Sequence, residues 1–428
     1  MDETSLRGLL DSVLADEPPI GAVAGNSLQA GRRLRRRRRA WIATACAALT
    51  AALVIAVAIP GLSGAPRHTP TPPASAAGPT LYVAGAANGG SVLRIRGTAV
   101  VPGKAVNLGY LPDLIAATPD GKTIYVAGSG STVTPITTAT GTPGKPIKAG
   151  SDPAAMAVTP DGKTIYVVNS SGTVTPITTA TNTTGKAIEV GRNPGMIAIS
   201  PDGKTAYVVN ISPGVTAYAL SDKPSTVTPI ATATDTPGKP INLVSIGLPT
   251  SIVISPDGKA VYIDTTRGVA VISTSTNTVT KLIKVSGTSA GPMSMTPDGK
   301  TVYVATDSGV VPITTATGTA GKTIKVGTTE AMAITPDGRT VYADNTSTGK
   351  VTPITVATGT PGKPIQTGRA PQGLDGAAVI VITADSKTAY VASFSSGTIT
   401  PITTATNTAG KPLTAGPPAD EIAVAVSP

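Results

Sequence analysis

Apolar and polar positions follow a repeating pattern from Thr80 onward. A short apolar stretch, an Asp-Gly turn and a second apolar stretch recur, as in AAMAVTPDGKTIYVVN at 154–169. Short runs rich in Val, Ile, Thr and Tyr, bounded by Gly, Pro and Asp, are typical of β-strands. The pattern therefore predicts pairs of short strands joined by tight hairpins.

The turn between these strands has its own chemistry. Proline presets φ, aspartate accepts backbone N–H bonds, and glycine adopts the positive φ that a tight hairpin needs. One carboxylate per loop is too few for Ca²⁺, which takes six to eight oxygen ligands, so we interpret the turn as structural. Its aspartates are Asp120, Asp161, Asp202, Asp257, Asp298 and Asp337, with a degenerate copy at Asp385.

The spacing of the turns indicates a repeat architecture. Successive aspartates are separated by 41, 41, 55, 41, 39 and 48 residues. A period of about 40 residues is typical of four-stranded propeller blades. In the unit 155–191 we predict strand a at AMAVT, strand b at TIYVVN, strand c at GTVTPITTAT and strand d at KAIEVG.

Apolarity and proline predict the order of these strands. Strand a is apolar on both faces, as expected of an innermost strand packed between neighbouring blades. Strand d carries proline in several copies, which fits a shielded outer edge. A proline also recurs in strand c, and we expect it where strand d is too short to reach. These strand-c prolines are Pro135, Pro176, Pro229, Pro312, Pro353 and Pro401.

The PDGKTIYVVN pattern resembles the repeat of the YVTN-type β-propeller family and covers nearly all of residues 80–428. The resemblance implies an all-β propeller of four-stranded blades around a central channel. It implies little about the ligand, because propellers host unrelated functions. A composition high in Ala, Gly, Pro and Thr suggests a bacterial source.

The two ends of the repeat region complement each other. The region opens on a strand-b motif at 81–84 and ends on a lone strand a at 422–427, so we expect the two strands to pair and close the ring. We favour eight blades, with seven as the alternative. The eight count rests on the strand-b tyrosines, interpreted as packing residues: Tyr82, Tyr125, Tyr166, Tyr207, Tyr262, Tyr303, Tyr342 and Tyr390.

The first 79 residues predict a membrane anchor. Residues 1–39 combine a short amphipathic helix at 4–15 with the arginine block RRLRRRRR, and 40–59 form an uncharged apolar run. Twenty such residues can cross the bilayer as a transmembrane helix, and the arginines place the N-terminus in the cytoplasm. Residues 60–79 are a Pro-rich linker. We favour an uncleaved signal anchor over cleavage near Ala76.

Charge and reactive side chains exclude several classes of function. Nine arginines and five acidic residues lie in 1–67, so the repeat region carries only about +6 of the formal charge of +10, without a basic stripe. We therefore expect no nucleic-acid partner. Cys46 and His68 are single, so no Cys/His metal site or nucleophile is expected, and no cofactor.

Residues that interrupt the repeat are the candidate ligand- or partner-binding residues. We expect most of them in loops between strand d of one blade and strand a of the next, at one mouth of the channel. The alternative is an ordinary solvated loop face. The candidates are Tyr110, Asp152, Arg192, Asn193, Glu330, Arg369 and Asp420, together with Tyr218 in the long insertion 211–225.

These observations favour a non-enzymatic, extracytoplasmic binding or scaffolding module tethered to the cell membrane. Its expected partner is an envelope or extracellular protein or a wall polymer. One alternative is a lactonase-like hydrolase with its site at the channel mouth, although no histidine of the domain can serve as base. Another is an envelope sensor coupled to the helix at 4–15. The sequence leaves the oligomeric state open.

Overall fold

In the described part of the chain all regular secondary structure is β-strand, joined by turns and loops. The computed structural model describes residues 80–85, 90–96, 99–100, 105–128, 130–212, 224–244, 246–287, 289–345, 348–367, 378–393, 396–414 and 422–427. Within these ranges no helix is long and apolar enough to cross a membrane. The predicted cytoplasmic segment, transmembrane helix and linker lie outside the described residues.

The strands form eight antiparallel sheets, numbered here as blades 1 to 8, with strands labelled in chain order. Blade 1 contains β1 (Thr80–Gly85), β2 (Ser91–Arg96), β3 (Ala99–Val100), β4 (Val106–Asn107) and β38 (Ile422–Ser427). Blade 2 contains β5 (Pro112–Ala117), β6 (Thr123–Gly128), β7 (Thr132–Thr137), β8 (Thr142–Pro143) and β9 (Ile147–Lys148). Blade 3 contains β10 (Pro153–Val158), β11 (Thr164–Asn169), β12 (Thr173–Thr178), β13 (Thr183–Thr184) and β14 (Ile188–Glu189). Blade 4 contains β15 (Pro194–Ile199), β16 (Thr205–Asn210), β17 (Ser225–Ala231), β18 (Thr236–Pro237) and β19 (Ile241–Leu243).

The second half of the ring follows the same order. Blade 5 contains β20 (Pro249–Ile254), β21 (Ala260–Thr265), β22 (Gly268–Ser273) and β23 (Thr278–Ile283). Blade 6 contains β24 (Ser289–Met295), β25 (Thr301–Thr306), β26 (Gly309–Thr314) and β27 (Thr319–Ala320). Blade 7 contains β28 (Ala331–Ile334), β29 (Thr340–Asn345), β30 (Lys350–Thr355), β31 (Thr360–Pro361) and β32 (Ile365–Gln366). Blade 8 contains β33 (Ala378–Ile382), β34 (Thr388–Ser393), β35 (Thr398–Thr403), β36 (Thr408–Ala409) and β37 (Leu413–Thr414).

The innermost strands close a ring of eight. Each contacts the innermost strand of the next blade, in the cyclic order β38, β5, β10, β15, β20, β24, β28, β33 and back to β38. Blade 1 is completed by β38, which pairs with β1 from Thr80↔Ser427 to Gly85↔Ile422. The predicted closure is therefore confirmed, and the choice between seven and eight blades is settled at eight.

The Asp-Gly turns have the predicted structural role. In blade 3, Oδ1 of Asp161 accepts bonds from the hydroxyl of Thr159 at 2.6 Å and the N–H of Lys163 at 3.0 Å. Gly162 has φ 72°. The Thr159 hydrogen bond, followed by that of the Lys163 N–H, holds the pKa of Asp161 below its ordinary value. The carboxylate is thus occupied by its own turn.

In blades 2, 3, 4, 7 and 8 a strand-c proline lies at the break in the outer strand. Pro176 lies between the two points where the outer pieces pair, at Ile177↔Thr184 and Val174↔Ile188. Gly185 fills the gap and donates its N–H to the Pro176 carbonyl at 2.8 Å. Strand c therefore ends earlier than the sequence predicts, at Thr178, and the expected single strand d is two short pieces.

Apolar side chains pack between blades and form the core. One cluster joins Tyr166 and Val168 of blade 3 to Ile197, Ile199 and other residues of blade 4. The strand-b tyrosines are buried here, from 0% to 5% exposed, so their predicted packing role is confirmed. Burial of large aromatic and branched side chains between blades is the main source of stability in such a fold.

Candidate functional site

The loops that interrupt the repeat lie at one face of the ring. Strand b ends, strand c begins and strand d leads into the next strand a at this same side. The a–b and c–d turns lie at the opposite side. We call these sides the d–a face and the a–b face. Loops on a rigid scaffold commonly carry recognition, so the d–a face is the candidate site.

Asp152 and Asn193 shape the d–a loops. Asp152 has φ 58° and Asn193 φ 51°, a left-handed conformation that Asp and Asn tolerate better than most residues. The carbonyl of Asp152 accepts the N–H of Ser170 at 3.0 Å, and the carbonyl of Asn193 accepts the N–H of Ile211 at 3.0 Å. Both predicted site residues therefore have a backbone role that ties a loop to its own blade.

Two buried asparagines support these loops and were missed by sequence reasoning. Asn169 and Asn210 end the strands b of blades 3 and 4, and each is 4% exposed or less. The side chain of Asn169 lies against Gly150, where a Cβ would come within 2.4 Å of Nδ2. The Oδ1 atoms of both asparagines are buried and accept no hydrogen bond from any described residue. The sequence does mark both positions, because each has asparagine at the end of strand b, where blades 1, 2, 5, 6 and 8 have Gly, Thr or Ser.

Arg192 lies on the loop between blades 3 and 4. It stands between Gly191, with φ 121°, and the left-handed Asn193, so two fixed backbone positions flank it. Its side chain is exposed. It forms no hydrogen bond or ion pair with another described residue. A cation displayed on a constrained loop can bind a carboxylate or phosphate group.

The side chain of Tyr110 forms hydrogen bonds within the propeller. The residue is half-buried, and its hydroxyl donates to the Val126 carbonyl at 2.9 Å and lies 2.9 Å from Oγ1 of Thr134. Burial is the main reason why its pKa is raised above the ordinary value. The ring therefore anchors the loop between blades 1 and 2, with its hydroxyl engaged on blade 2.

Glu330 lies beside the buried carboxyl group of Asp344, which is not among the predicted site residues. The N–H of Glu330 donates to the carbonyl of Asp344 at 3.1 Å. Asp344 is 2% exposed, and burial, together with the charge of Glu330, raises its pKa to about 8. At neutral pH its carboxyl group is therefore mostly protonated and uncharged. Asp344 therefore adds little negative charge to the d–a face of blade 7 at neutral pH.

A second buried carboxyl group lies at the same level of blade 5. Asp264 is 0% exposed, and Oγ1 of Thr250 donates to its Oδ2 at 2.8 Å. Asp264 and Asp344 occupy the fifth position of strand b, where blades 2 and 3 carry Ala127 and Val168. That replacement of an apolar residue by aspartate was the available signal for both.

The remaining predicted site residues are Tyr218, Arg369 and Asp420, which lie outside the described residues. Among the residues that the structure describes, no three His, Cys, Asp or Glu side chains are grouped so that they could hold a metal ion. The described site is thus a polar loop face with an exposed cation at blade 4 and an acidic pair at blade 7.

Comparison with known proteins places the fold. A family model described as a domain of unknown function, DUF5074, matches residues 250–425. No curated protein matches the sequence. The structure resembles apo AztD from Citrobacter koseri, with 12% identity, TM-score 0.60 and coverage of 82% of this chain and 98% of that chain.

Two further solved structures share the architecture. Dihydro-heme d1 dehydrogenase NirN in complex with DHE is 17% identical, with TM-score 0.65 and coverage of 84% of this chain and 76% of that chain. Hydrazine synthase of Kuenenia stuttgartiensis is 24% identical, with TM-score 0.54 and coverage of 72% and 99%. At these identities the likeness shows the propeller fold alone.

Proposed function

We propose that this chain is a non-enzymatic binding or scaffolding module that presents the d–a face of an eight-bladed propeller to a partner outside the cytoplasm. The observation that carries the proposal is Arg192, an exposed cation between two left-handed backbone positions on an otherwise repetitive ring. Repeated residues build the scaffold, whereas this loop departs from the repeat. The proposal includes the finer assignment to bacterial YVTN-type repeats.

The tether is part of the proposal. Residues 40–59 have the length and apolarity of a membrane span, and the arginine block precedes them. The linker 60–79 leads into β1 at Thr80, which lies at the a–b face. A chain anchored there can direct the opposite d–a face away from the bilayer.

The partner is proposed to be an envelope or extracellular protein, or a wall polymer, with charged groups of both signs. Arg192 offers a site for a carboxylate or phosphate, and Glu330 adds an acidic side chain to the same face. The depth of Asp344 in the fold argues against a catalytic use of the acidic pair, because a substrate cannot reach a side chain that is 2% exposed. We therefore favour binding over hydrolysis.

The test is a crosslinking pull-down from membranes that contain the full chain with an affinity tag. The site variant combines Arg192→Ala with Glu330→Gln. The matched control combines Lys163→Ala with Lys259→Ala, which removes two exposed charges from the a–b face. Fractionation of the same membranes tests the tether, since an anchored chain resists extraction by carbonate.

The expected result is a protein or polymer that is captured by the wild type and the control and lost with the site variant. Capture that is equal for all three chains would move the contact away from the d–a face. A chain that captures nothing specific but turns over lactones would replace the binding proposal with the hydrolase alternative.

A further inference from the structure

Blade 5 differs from the other blades at its outer edge. Its outer strand β23 is unbroken over six residues. In blades 1, 2, 3, 4, 7 and 8 the outer strand is split into two short pieces, and in blade 6 it is reduced to β27 and a single bridge at Ile324. The difference lies in the sequence TVTKLI at 278–283, which replaces segments such as TPGKPI at 142–147.

Two substitutions accompany the continuous strand of blade 5. In six of the other seven blades a strand-c proline packs against a glycine of the outer strand; a Cβ on Gly185 would lie 2.9 Å from Cγ of Pro176. Blade 1 has Arg94 at the position of the proline, and its outer strand is split into β3 and β4 as well. Blade 5 has Val271 in place of the proline and Thr280 in place of the glycine. Val271 restores the backbone N–H that proline lacks, so the strand can pair without a gap.

The outer edge of β23 is not covered by another described strand and carries no proline. The sheet order of blade 5 is β20-β21-β22-β23, and within the described part of the chain no strand lies beyond β23. Val279 and Leu282 stand where blade 2 has Pro143 and Pro146, and each is 37% exposed. Proteins normally blunt such edges with proline, breaks, bulges or charge, because free N–H and C=O groups recruit another strand.

We propose that β23 pairs with β23 of a second copy of this chain in an antiparallel, two-fold arrangement. Val279 of each copy lies opposite Leu282 of the other, so the exposed apolar side chains cover one another. Lys281 lies opposite Thr280, which keeps the two lysines from facing each other directly. The two four-stranded sheets join into one sheet of eight strands. This inference does not depend on the proposed tether or binding face.

A bulge in β23 favours a second copy over an unrelated strand. The register shifts from Lys281↔Val271 to Val279↔Ile272, so Thr280 is the extra residue. The bulge leaves two residues instead of one between Val279 and Leu282 along the free edge. A regular strand loses its register there by one residue, whereas a second β23 carries the same bulge and matches it.

A hydrogen bond to blade 6 holds the charged group of Lys281 away from the free edge of β23. Its Nζ donates to the carbonyl of Thr317 in blade 6 at 2.8 Å. Lysine on an edge strand protects best when its charge stands in the path of an incoming strand. Here that charge is directed toward the neighbouring blade, so it opposes pairing less.

Sedimentation equilibrium of the full chain in detergent micelles tests the proposal. The wild type is expected to self-associate with concentration toward twice the chain mass of 42.3 kDa. Val279→Pro with Leu282→Pro gives blade 5 the residues of blade 2 and is expected to weaken dimerisation about tenfold or more. Ala320→Pro with Thr323→Pro makes the same change in blade 6, where the outer strand is already interrupted, and is expected to leave the dimer intact.

Disulfide trapping tests the register without proline. Two full chains, one with Val279→Cys and one with Leu282→Cys, both also carrying Cys46→Ser, are mixed under mild oxidation. The proposed register predicts a crosslinked dimer from the mixture, and much less from either chain alone. A wild type that is monomeric, a dimer that survives the blade 5 prolines, or crosslinking without preference for the mixture would each overturn the proposal.

Discussion

The hydroxyl of Tyr166 donates a hydrogen bond of 2.6 Å to Oδ1 of Asp235, which joins strand b of blade 3 to the c–d turn of blade 4. Asp235 has φ 53°, a conformation that sets its side chain at the tip of the turn. The charge of Asp235 adds to burial in raising the pKa of Tyr166. Equivalent bonds join Tyr125 to Asn182, Tyr207 to Asn277 and Tyr342 to Asn407.

Loss of this bond should destabilise the ring without disturbing its packing. Tyr166→Phe keeps the buried ring and removes the hydroxyl, which leaves Asp235 without its donor. A hydrogen bond to a charged group contributes about 1.5 to 3 kcal/mol. We expect the free energy of unfolding in urea to fall by an amount in this range.

Tyr262→Phe is the matched control. The turn that faces Tyr262 carries Gly318 in place of Asx, and the hydroxyl of Tyr262 makes no hydrogen bond with a described residue. This variant should therefore unfold within about 0.5 kcal/mol of the wild type. Equal losses for the two variants would mean that the hydroxyl bond contributes nothing beyond packing.

The Asp-Gly turns should depend on their internal hydrogen bonds and little on their ion pairs. Nζ of Lys163 lies 3.2 Å from Oδ2 of Asp161, but the lysine side chain is 81% exposed, so the ion pair is screened by water. We expect Asp161→Ala to cost about 1 to 2 kcal/mol of unfolding free energy. Lys163→Ala should cost less than about 0.5 kcal/mol in the same urea titration.

Acid should weaken the same turns. The hydrogen bonds from Thr159 and Lys163 lower the folded-state pKa of Asp161, so the stability they contribute is present above about pH 4 and is lost as the pH falls through the lowered pKa. Asp161→Asn removes the titrating group from this turn. Its unfolding free energy should therefore change less between pH 5 and pH 2 than that of the wild type.

Asp344 should give the opposite pH dependence. Its folded-state pKa of about 8 lies above the ordinary value of 3.8, so folding favours the protonated form. The resulting stability is fully present below about pH 4 and is lost as the pH rises toward 8. Above that pH the folded protein must bury an ionised carboxylate.

Replacing Asp344 should remove that loss. Asp344→Val supplies the residue found at this position in blade 3 and should be more stable than the wild type at pH 9, by several kcal/mol at most, since one pKa unit is about 1.4 kcal/mol. At pH 4 the advantage should be much smaller. A wild type whose urea midpoint does not change between pH 5 and pH 9 would contradict the raised pKa.

The proline–glycine pair should behave as a coupled unit. Gly185→Thr alone pushes a Cβ against Pro176 and should cost about 1 to 3 kcal/mol. Pro176→Val together with Gly185→Thr reproduces the blade 5 pair and should recover most of that loss. A double-mutant cycle by urea unfolding measures the coupling, and strictly additive effects would show that the contact is unimportant.

The periodic part of the fold is predictable because each repeat has the same local sequence pattern. Strand b, the Asp-Gly turn and the inner position of strand a follow from residue type alone, and the closing pair β1–β38 follows from the two incomplete ends of the repeat. Strand d was harder, since its length depends on a contact with Pro176 across the sheet. Local sequence does not show such a contact until the strands are paired.

The candidate site was less predictable for a related reason. Asp152, Asn193 and Tyr110 were selected because they interrupt the repeat, yet the structure gives each of them a role in holding a loop. Asp344 was not selected, because its importance depends on burial. A single aspartate in an apolar strand is visible in the sequence, but its desolvation and its nearness to Glu330 are properties of the folded ring.

The pairing of β1 with β38 has a consequence for biosynthesis. The ribosome makes β1 at the beginning of the propeller and β38 some 340 residues later. Blade 1 therefore lacks its innermost strand until the rest of the propeller has been synthesised. During that interval β1 has a free edge that other nascent chains can capture. Closure of the ring therefore depends on the synthesis of β38, the strand that pairs with β1.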